Sequence, residues 1–341
     1  MAAQIGHAPA PPETSPVTPD SIMEVARGFM AAKHLFAASS VGIFEALADG
    51  PATLAEIAAR TGITERAARI SADAMVALGF LDVGDGRYRN GAVAGTFLAG
   101  RTPADLRPVL RFWDLVSYPA WMRLEPVLRG RWAPQQLGPE LAEVFSAGVE
   151  ALTAGPAQAL AAVYDFTVHR RLLDVGGGTG SITAAIARRY PHLQATVLDR
   201  AEVLPLAQER VEAEALQSRI RAVAGDALKG PYPAGHDVIL IANLIHYFTP
   251  DQNRGLLELA RAAVYEGDRL LLVDFWTDPT HTSPAPAALM AGEFAVLQEH
   301  GDVYSAEEVQ GWLDSTRWRF MEQQPLAGPI SVLIAEATSA G

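Results

Sequence analysis

From residue 171 onward, short apolar runs alternate with stretches of helical period. The runs read RLLDV, ATVLD, IRAVAGD, DVILIAN, RLLLVDFW and SVLIAEA. Consecutive Leu, Val and Ile with few polar interruptions suit strands covered on both faces. Strands of this kind alternating with helices predict an α/β, doubly wound and mostly parallel sheet. In such sheets ligands bind beyond the carboxyl ends of the strands, so the residues just after each run carry the functional information.

The first run leads into LLDVGGGTG, where Asp174 precedes Gly176, Gly177, Gly178 and Gly180, and Thr179 is expected to open a helix that reaches Arg189. Glycines there allow positive φ and let a ligand lie against the backbone, and a helix start offers unpaired N–H groups. The second run ends on Asp199, followed by Arg200, at the distance where an acid can accept hydrogen bonds from ribose hydroxyls. The third leads into Gly225, Asp226 and Ala227. A dinucleotide fingerprint has the spacing G-x-G-x-x-G; this loop is tighter and is led by an acid. By itself it reads equally as a tight strand-to-helix turn. Joined with Asp199 and Asp226, each at the end of a successive run, it points to a nucleoside-like ligand.

The amino-terminal half is organised differently. Residues 1–20 are rich in Pro, Ala and Thr and are expected to be disordered. Residues 21–48 carry apolar positions at helical spacing. Residues 53–60 form a short helix, Thr61 and Gly62 a turn, and Thr64 caps a second helix to about residue 78. FLDVGDGRYRN then predicts two strands around Asp85-Gly86. Helix, turn, helix and hairpin make a winged-helix module over residues 21–103. Arg66 and Arg69 sit with Glu65 and Asp73, and Arg87 and Arg89 with Asp82 and Asp85, so no basic face appears. Packing or dimerisation is the expected role rather than DNA reading. Residues 104–168 read as a helical, aromatic-rich linker to the domain at 169–341.

Charge narrows the partners. With 27 Lys and Arg against 39 Asp and Glu, the net charge of −12 makes the chain a poor non-specific ligand for nucleic acid or anionic membranes. It has no cysteine, which excludes disulfides, thiolate metal sites and cysteine nucleophiles. No signal-peptide pattern or membrane-length apolar run occurs, and a cytoplasmic protein is expected.

LLDVGGGTG, VLDR, AGDAL, NLIHYFTPDQ and LLLVDFW, in this order, resemble the small-molecule O-methyltransferases that use S-adenosyl-L-methionine. That family includes plant phenylpropanoid and bacterial secondary-metabolite enzymes, and the resemblance covers nearly the whole chain. It implies a Rossmann-like seven-stranded methyltransferase sheet, an N-terminal winged-helix dimerisation domain, a homodimer and a small-molecule acceptor. It places Gly176 and its neighbours at the methionine part, Asp199 at the ribose, and Asp226 and Ala227 beside the adenine. The full cofactor set it implies is Asp174, Gly176, Gly177, Gly178, Asp199, Arg200, Gly225, Asp226, Ala227 and Asn243.

Methyl transfer is an in-line displacement, so the protein must chiefly align the acceptor and take its proton. His246 comes after the DVILIAN run. The family motif there is His-Asp-Trp with its His as general base; here it reads His246-Tyr247-Phe248. Asp274 matches a family glutamate that orients this His, and where a second family glutamate belongs the chain has Val303, next to Asp302. Trp113, Met290, Phe294 and His300 are expected to line the acceptor pocket. Three other readings stay open. In the first, His246, His281 and His300 hold a divalent or ferric ion for C-methylation of an α-keto acid, although strict metal-ligand spacing is missing. A winged-helix regulator sensing the cofactor is the second. A member that keeps the cofactor only as scaffold is the third.

Overall fold

The computed structural model describes residues 17–134 and 137–339. The chain divides into two compact units, Met1–Gly91 and Ala92–Gly341. Most of the stretch expected to be disordered, residues 1–16, lies outside the described residues, as do 340–341.

The first unit holds α1 (Asp20–Ser40), α2 (Ile43–Ala46), α3 (Leu54–Thr61), α4 (Glu65–Ala77), β1 (Leu81–Gly84) and β2 (Arg87–Asn90). The single helix expected over 21–48 is two helices, because Gly42 takes φ 85° and restarts the chain. Thr53 caps α3 in a capping box with Glu56, and Thr64 caps α4. Asp85 and Gly86 both have positive φ, the signature of a tight type I′ hairpin. Ala52 bridges Tyr88 on the hairpin. Ile43, Phe44, Ile57 and Met75 are fully buried beneath these elements. In contrast, Ile22, Met23, Val25, Phe29 and Met30 of α1 are exposed in this unit. Three arginines of the helix-turn-helix and hairpin face acids: Arg69 pairs with Asp73, Arg87 with Glu56 and Arg89 with Asp82.

The second unit opens with α5 (Ala92–Phe97), α6 (Arg107–Phe112), a π-helical turn (Trp113–Ser117), α7 (Tyr118–Trp121), α8 (Leu124–Leu128) and α9 (Pro139–Val163). β3 (Arg171–Val175), α10 (Ser181–Arg189), β4 (Gln194–Asp199), α11 (Leu204–Ala213), β5 (Ile220–Ala224) and β6 (Val238–Ala242) come next. α12 (Pro250–Ala262), β7 (Arg269–Phe275), α13 (Ala285–Leu297), α14 (Ala306–Ser315), β8 (Trp318–Pro325) and β9 (Ile330–Ala337) complete it. The domain boundary expected after residue 103 falls inside this unit. Leu106 N–H donates to the Phe97 carbonyl and ties α5 to the start of α6. The stretch expected to be a linker is built into the fold: Ala157 and Leu160 of α9 share a core with Leu172 and Ile186.

The seven strands run in the order β5-β4-β3-β6-β7-β9-β8. Strands β3 to β7 are mutually parallel, while β9 is antiparallel to both β7 and β8. β8 has no counterpart among the apolar runs. Its residues WRFMEQQP are largely polar because it is an edge strand with most side chains in water. Each inner strand alternates between two cores. Leu172, Leu240 and Val273 face one, and Leu173, Ile239 and Leu272 the other. The chain leaves β3 towards β4 on one side and returns to β6 on the other, so a crevice opens at the carboxyl ends around β3.

Candidate active site

Every motif singled out in the sequence lies at the carboxyl ends of the parallel strands. After β3, Gly176, Gly178 and Gly180 adopt φ of 69°, 57° and 72°, a path closed to most side chains. Gly177 is required for a different reason: a Cβ there would lie 2.6 Å from the Asp174 carboxylate. α10 begins at Ser181 rather than Thr179, because Gly180 is left-handed and serves as its cap. Asp174 is buried beneath the loop and accepts from Thr183 Oγ1 at 2.6 Å; its Oδ1 has no partner among the described residues. Burial pushes this carboxyl up to about 7; the Thr183 hydroxyl opposes the shift and the nearby Asp199 charge adds to it.

Asp199, at the end of β4, also holds the loop. Its Oδ2 accepts from Gly178 N–H at 2.7 Å and its Oδ1 from Arg200 N–H at 2.7 Å. Each oxygen keeps a further lone pair for hydroxyl donors. Gly225 lies close against the Leu198 side chain. Asp226 accepts from Leu228 N–H and pairs with Lys229, and that pairing holds its carboxyl below the usual range. Asn243 stands at φ 50° beyond β6, and its N–H donates to the Val273 carbonyl, prolonging the β6–β7 ladder.

The segment after β6 is a single 3-10 turn, Ile245–Tyr247. Thr249 and Gln252 form a capping box with Pro250 at the first turn of α12, which fixes where the turn ends. Asn253 grips the turn from α12 by donating to the Ile245 and Phe248 carbonyls. The result is a buried His246, 5% exposed, whose Nδ1 lies 2.7 Å from Asp274 Oδ1 on β7. A carboxylate only accepts, so Nδ1 carries the hydrogen and Nε2 is the basic nitrogen. Asp274 Oδ1 also accepts from Phe275 N–H, while its buried Oδ2 has no partner among the described residues.

Phe294 of α13 stacks on the His246 ring, with centroids 3.7 Å apart and planes 7° apart. Tyr247 leans against the same imidazole, with 4.4 Å between ring centroids. Its hydroxyl pKa is pushed up to about 12 by burial and by the charges of Asp274 and Glu293, so it is a neutral phenol. Met290 packs with Phe294 and Val303 in a small apolar cluster. Val303 is buried there, while the neighbouring Asp302 accepts from Val303 N–H through Oδ1 and donates its own N–H to the His246 carbonyl.

Other expected residues lie at the surface. Trp113 lies in the π-helical turn and is 36% exposed. It is Ser117 and Trp121 of the same helical run that reach α13, where both donate to Glu293. Nothing in the sequence marks Glu293, which reads there as one acid in an apolar helix. His300 is exposed, and His281 pairs with Glu308 at 3.2 Å. The three imidazoles therefore do not form a ligand set, and among the described residues no three His, Cys, Asp or Glu side chains are grouped to hold a metal.

A cradle of bare backbone led by a buried acid, a second acid at the next strand end and a buried His–Asp pair beside them fit a nucleoside cofactor and a proton-accepting base. Fold and site together define a methyltransferase that uses S-adenosylmethionine. Residues 129–318 match the O-methyltransferase domain and residues 23–100 the O-methyltransferase dimerisation domain, so the chain belongs to the O-methyltransferase family. It is 35% identical over 305 residues to the 3-hydroxy-5-methyl-1-naphthoate 3-O-methyltransferase of Streptomyces sahachiroi, covering 86% of this chain and 88% of that protein. The tetracenomycin polyketide synthesis 8-O-methyl transferase TcmO of Streptomyces glaucescens is 30% identical over 333 residues, or 95% and 98% of the two chains. Among solved structures, the S-adenosylmethionine-dependent methyltransferase SibL in its apo form superposes with a TM-score of 0.81 at 31% identity, over 94% of this chain and 100% of that one. No helix among the described residues is long and apolar enough to cross a membrane.

Proposed function

We propose that this enzyme methylates a hydroxyl on a small aromatic acceptor of secondary metabolism, with His246 as general base and Asp274 as its orienting partner. The observation that carries this reading is the buried His246–Asp274 pair at the carboxyl end of β6 and β7, beside the glycine loop. Two relatives act, by name, on a hydroxynaphthoate and in tetracenomycin polyketide synthesis, which favours a fused aromatic acceptor here. The cofactor supplies an electrophilic methyl group and its own leaving thioether. Asp174 and Gly176, Gly177 and Gly178 hold its methionine part, Asp199 and Arg200 its ribose, and Gly225, Asp226 and Ala227 its adenine, with Asn243 at the strand exit. His246 Nε2 takes the acceptor proton as the oxygen attacks, and Asp274 steadies the imidazolium that results. Met290 and Phe294 wall the acceptor side. Trp113 and His300, both exposed, are the outermost residues assigned to the acceptor side. Transfer of labelled methyl to a panel of hydroxylated naphthoates and related fused aromatics tests the assignment. Label appearing only on carbon or nitrogen would overturn it.

Asp174 makes cofactor binding depend on pH. Its carboxyl in the unliganded protein titrates at about 7, above the ordinary 3.8. A raised value means that its contribution to stability is present at low pH and is lost as pH rises through about 7. A cationic amino group placed at this carboxylate reverses the preference. Binding S-adenosylmethionine at about pH 6, where its amino group is already cationic, is therefore expected to release most of one proton. Calorimetry in buffers of different ionisation enthalpy reads this directly. An Asp174→Asn variant with undiminished proton release would remove Asp174 from the methionine site.

The chain carries the family's dimerisation domain, and we infer a homodimer in which a second copy covers the apolar face of α1. Val25 and Phe29 are 83% and 51% exposed in the first unit, and apolar groups this exposed at helical spacing mark an association surface. Val25→Asp with Phe29→Asp should yield a folded monomer in light scattering, because neither side chain is in the unit's own core. A variant that stays dimeric rules the α1 face out. The paired arginines of this unit support a packing role over nucleic-acid binding, and a cytoplasmic location accords with use of S-adenosylmethionine.

A further inference from the structure

Glu293 is buried, 5% exposed, yet among the described residues it forms no ion pair. Both carboxylate oxygens are held by neutral donors from a single helical run. Ser117 Oγ donates to Oε1 and Trp121 Nε1 to Oε2. Ser117 and Trp121 are four residues apart and so share a helix face. Ser117 closes the π-helical turn Trp113–Ser117, a local irregularity that frequently accompanies functional sites. The indole lies so close to α13 that a Cβ at Gly292 would come within 2.6 Å of it. Just beyond α7, Arg123 donates to the Val296 carbonyl at 3.1 Å. The run from α6 to α7 is thus fastened to α13 at a specific height.

A buried carboxylate without a cation is a poor stabilising device. Burial raises its pKa, and only the two neutral donors oppose that. Replacing such groups by apolar ones is often neutral or favourable for stability. Its location points to another use. The next residue, Phe294, lies face to face with His246. One hydrogen bond from Nδ1 to Asp274 fixes the tautomer, but it leaves the imidazole able to hinge about that bond. The apolar Val303 offers no second anchor. The flat face of Phe294 removes the hinge motion, provided that α13 cannot slide or roll.

We propose that Glu293 is a positioning residue for the catalytic base: with Ser117 and Trp121 it locks α13, and so presses Phe294 onto His246 and fixes the direction of Nε2. This rests on the reading of His246 as general base. A misdirected base is costly, since displacements near 1 Å can lower rates by about 10²-fold.

The test is nuclear magnetic resonance on the full chain saturated with S-adenosylhomocysteine, with ring-labelled histidine and indole-labelled tryptophan. His246 is assigned by its absence in His246→Ala and Trp121 by its absence in Trp121→Phe. In Glu293→Gln, which keeps the side-chain shape but cannot accept at both positions, the Trp121 indole signal should move. The His246 ring protons should shift downfield as the Phe294 face is lost, and the Nδ1–H signal should broaden through exchange with water. Ser117→Ala, which removes one donor and leaves the acid, should shift the same His246 signals, and it stands in if Glu293→Gln fails to fold. A moving Trp121 signal with unchanged His246 signals would overturn the proposal. So would unchanged His246 signals in Ser117→Ala, where no rotated amide can replace the lost donor. None of these readings needs an acceptor. Normal turnover by His246→Ala would therefore defeat the general-base reading while leaving the measured ring geometry in place.

Discussion

His246→Ala is expected to lower methyl transfer by about 10²–10⁴-fold, the usual loss when a positioned general base is removed. Affinity for S-adenosylhomocysteine should be unchanged, because the loop after β3 and Asp199 on β4 lie on other strands. Single-turnover measurement of labelled methyl transfer, beside calorimetry of cofactor-product binding, separates the two effects. Asp274→Asn provides a second check. It keeps an oxygen that accepts from Nδ1–H and from Phe275 N–H but removes the negative charge that steadies the imidazolium, so turnover should fall with little change in cofactor affinity. Turnover in His246→Ala within about threefold of wild type would leave catalysis to alignment alone.

Asp199→Ala should weaken S-adenosylmethionine binding by at least about tenfold. Hydrogen bonds to a charged group contribute roughly 1.5–3 kcal/mol each, and about 1.4 kcal/mol is a factor of ten in affinity. Two losses add here. The ribose hydroxyls lose their acceptor, and Gly178 N–H loses the oxygen that holds the loop in its left-handed path. Asp199→Asn separates them in part: its one oxygen can accept from Gly178 N–H, while its NH2 group, which then faces Arg200 N–H, cannot accept from a ribose hydroxyl. An intermediate loss is expected for Asn and the full loss for Ala, with thermal unfolding of the unliganded protein shifted more by Ala. Unchanged affinity in both variants would remove Asp199 from the site.

The site was legible in the sequence where function depends on strand ends. Strands of a parallel sheet all point the same way, so residues placed just after them in the chain gather on one edge without further information. Asp174, the glycine loop, Asp199, Asp226, His246 and Asp274 could therefore be placed in one region from their order alone. The partner of His246 was legible for the same reason, since β6 and β7 are adjacent and in register. The helical contribution was not. Trp113 stands out in an aromatic-rich stretch, but a π-helical turn shifts the phase of the helix, and Ser117 and Trp121 face α13 instead. The long first helix breaks at Gly42, and the edge strand β8 is hidden in the sequence because its exposed side chains carry no apolar period.

The sequence by itself determined the class of fold and which residues gather at the strand ends, among them the proposed cofactor cradle and the proposed base. Those depend on backbone requirements and on the order of elements along the chain, which the sequence carries directly. Only the tertiary structure decided how the base is held. Phe294 on His246, Glu293 under Ser117 and Trp121, and Val303 in an apolar cluster all join residues far apart in the chain. Such contacts depend on the rotation and height at which one helix packs on another. A helical pattern says which residues can be buried, and it leaves open what each of them will meet.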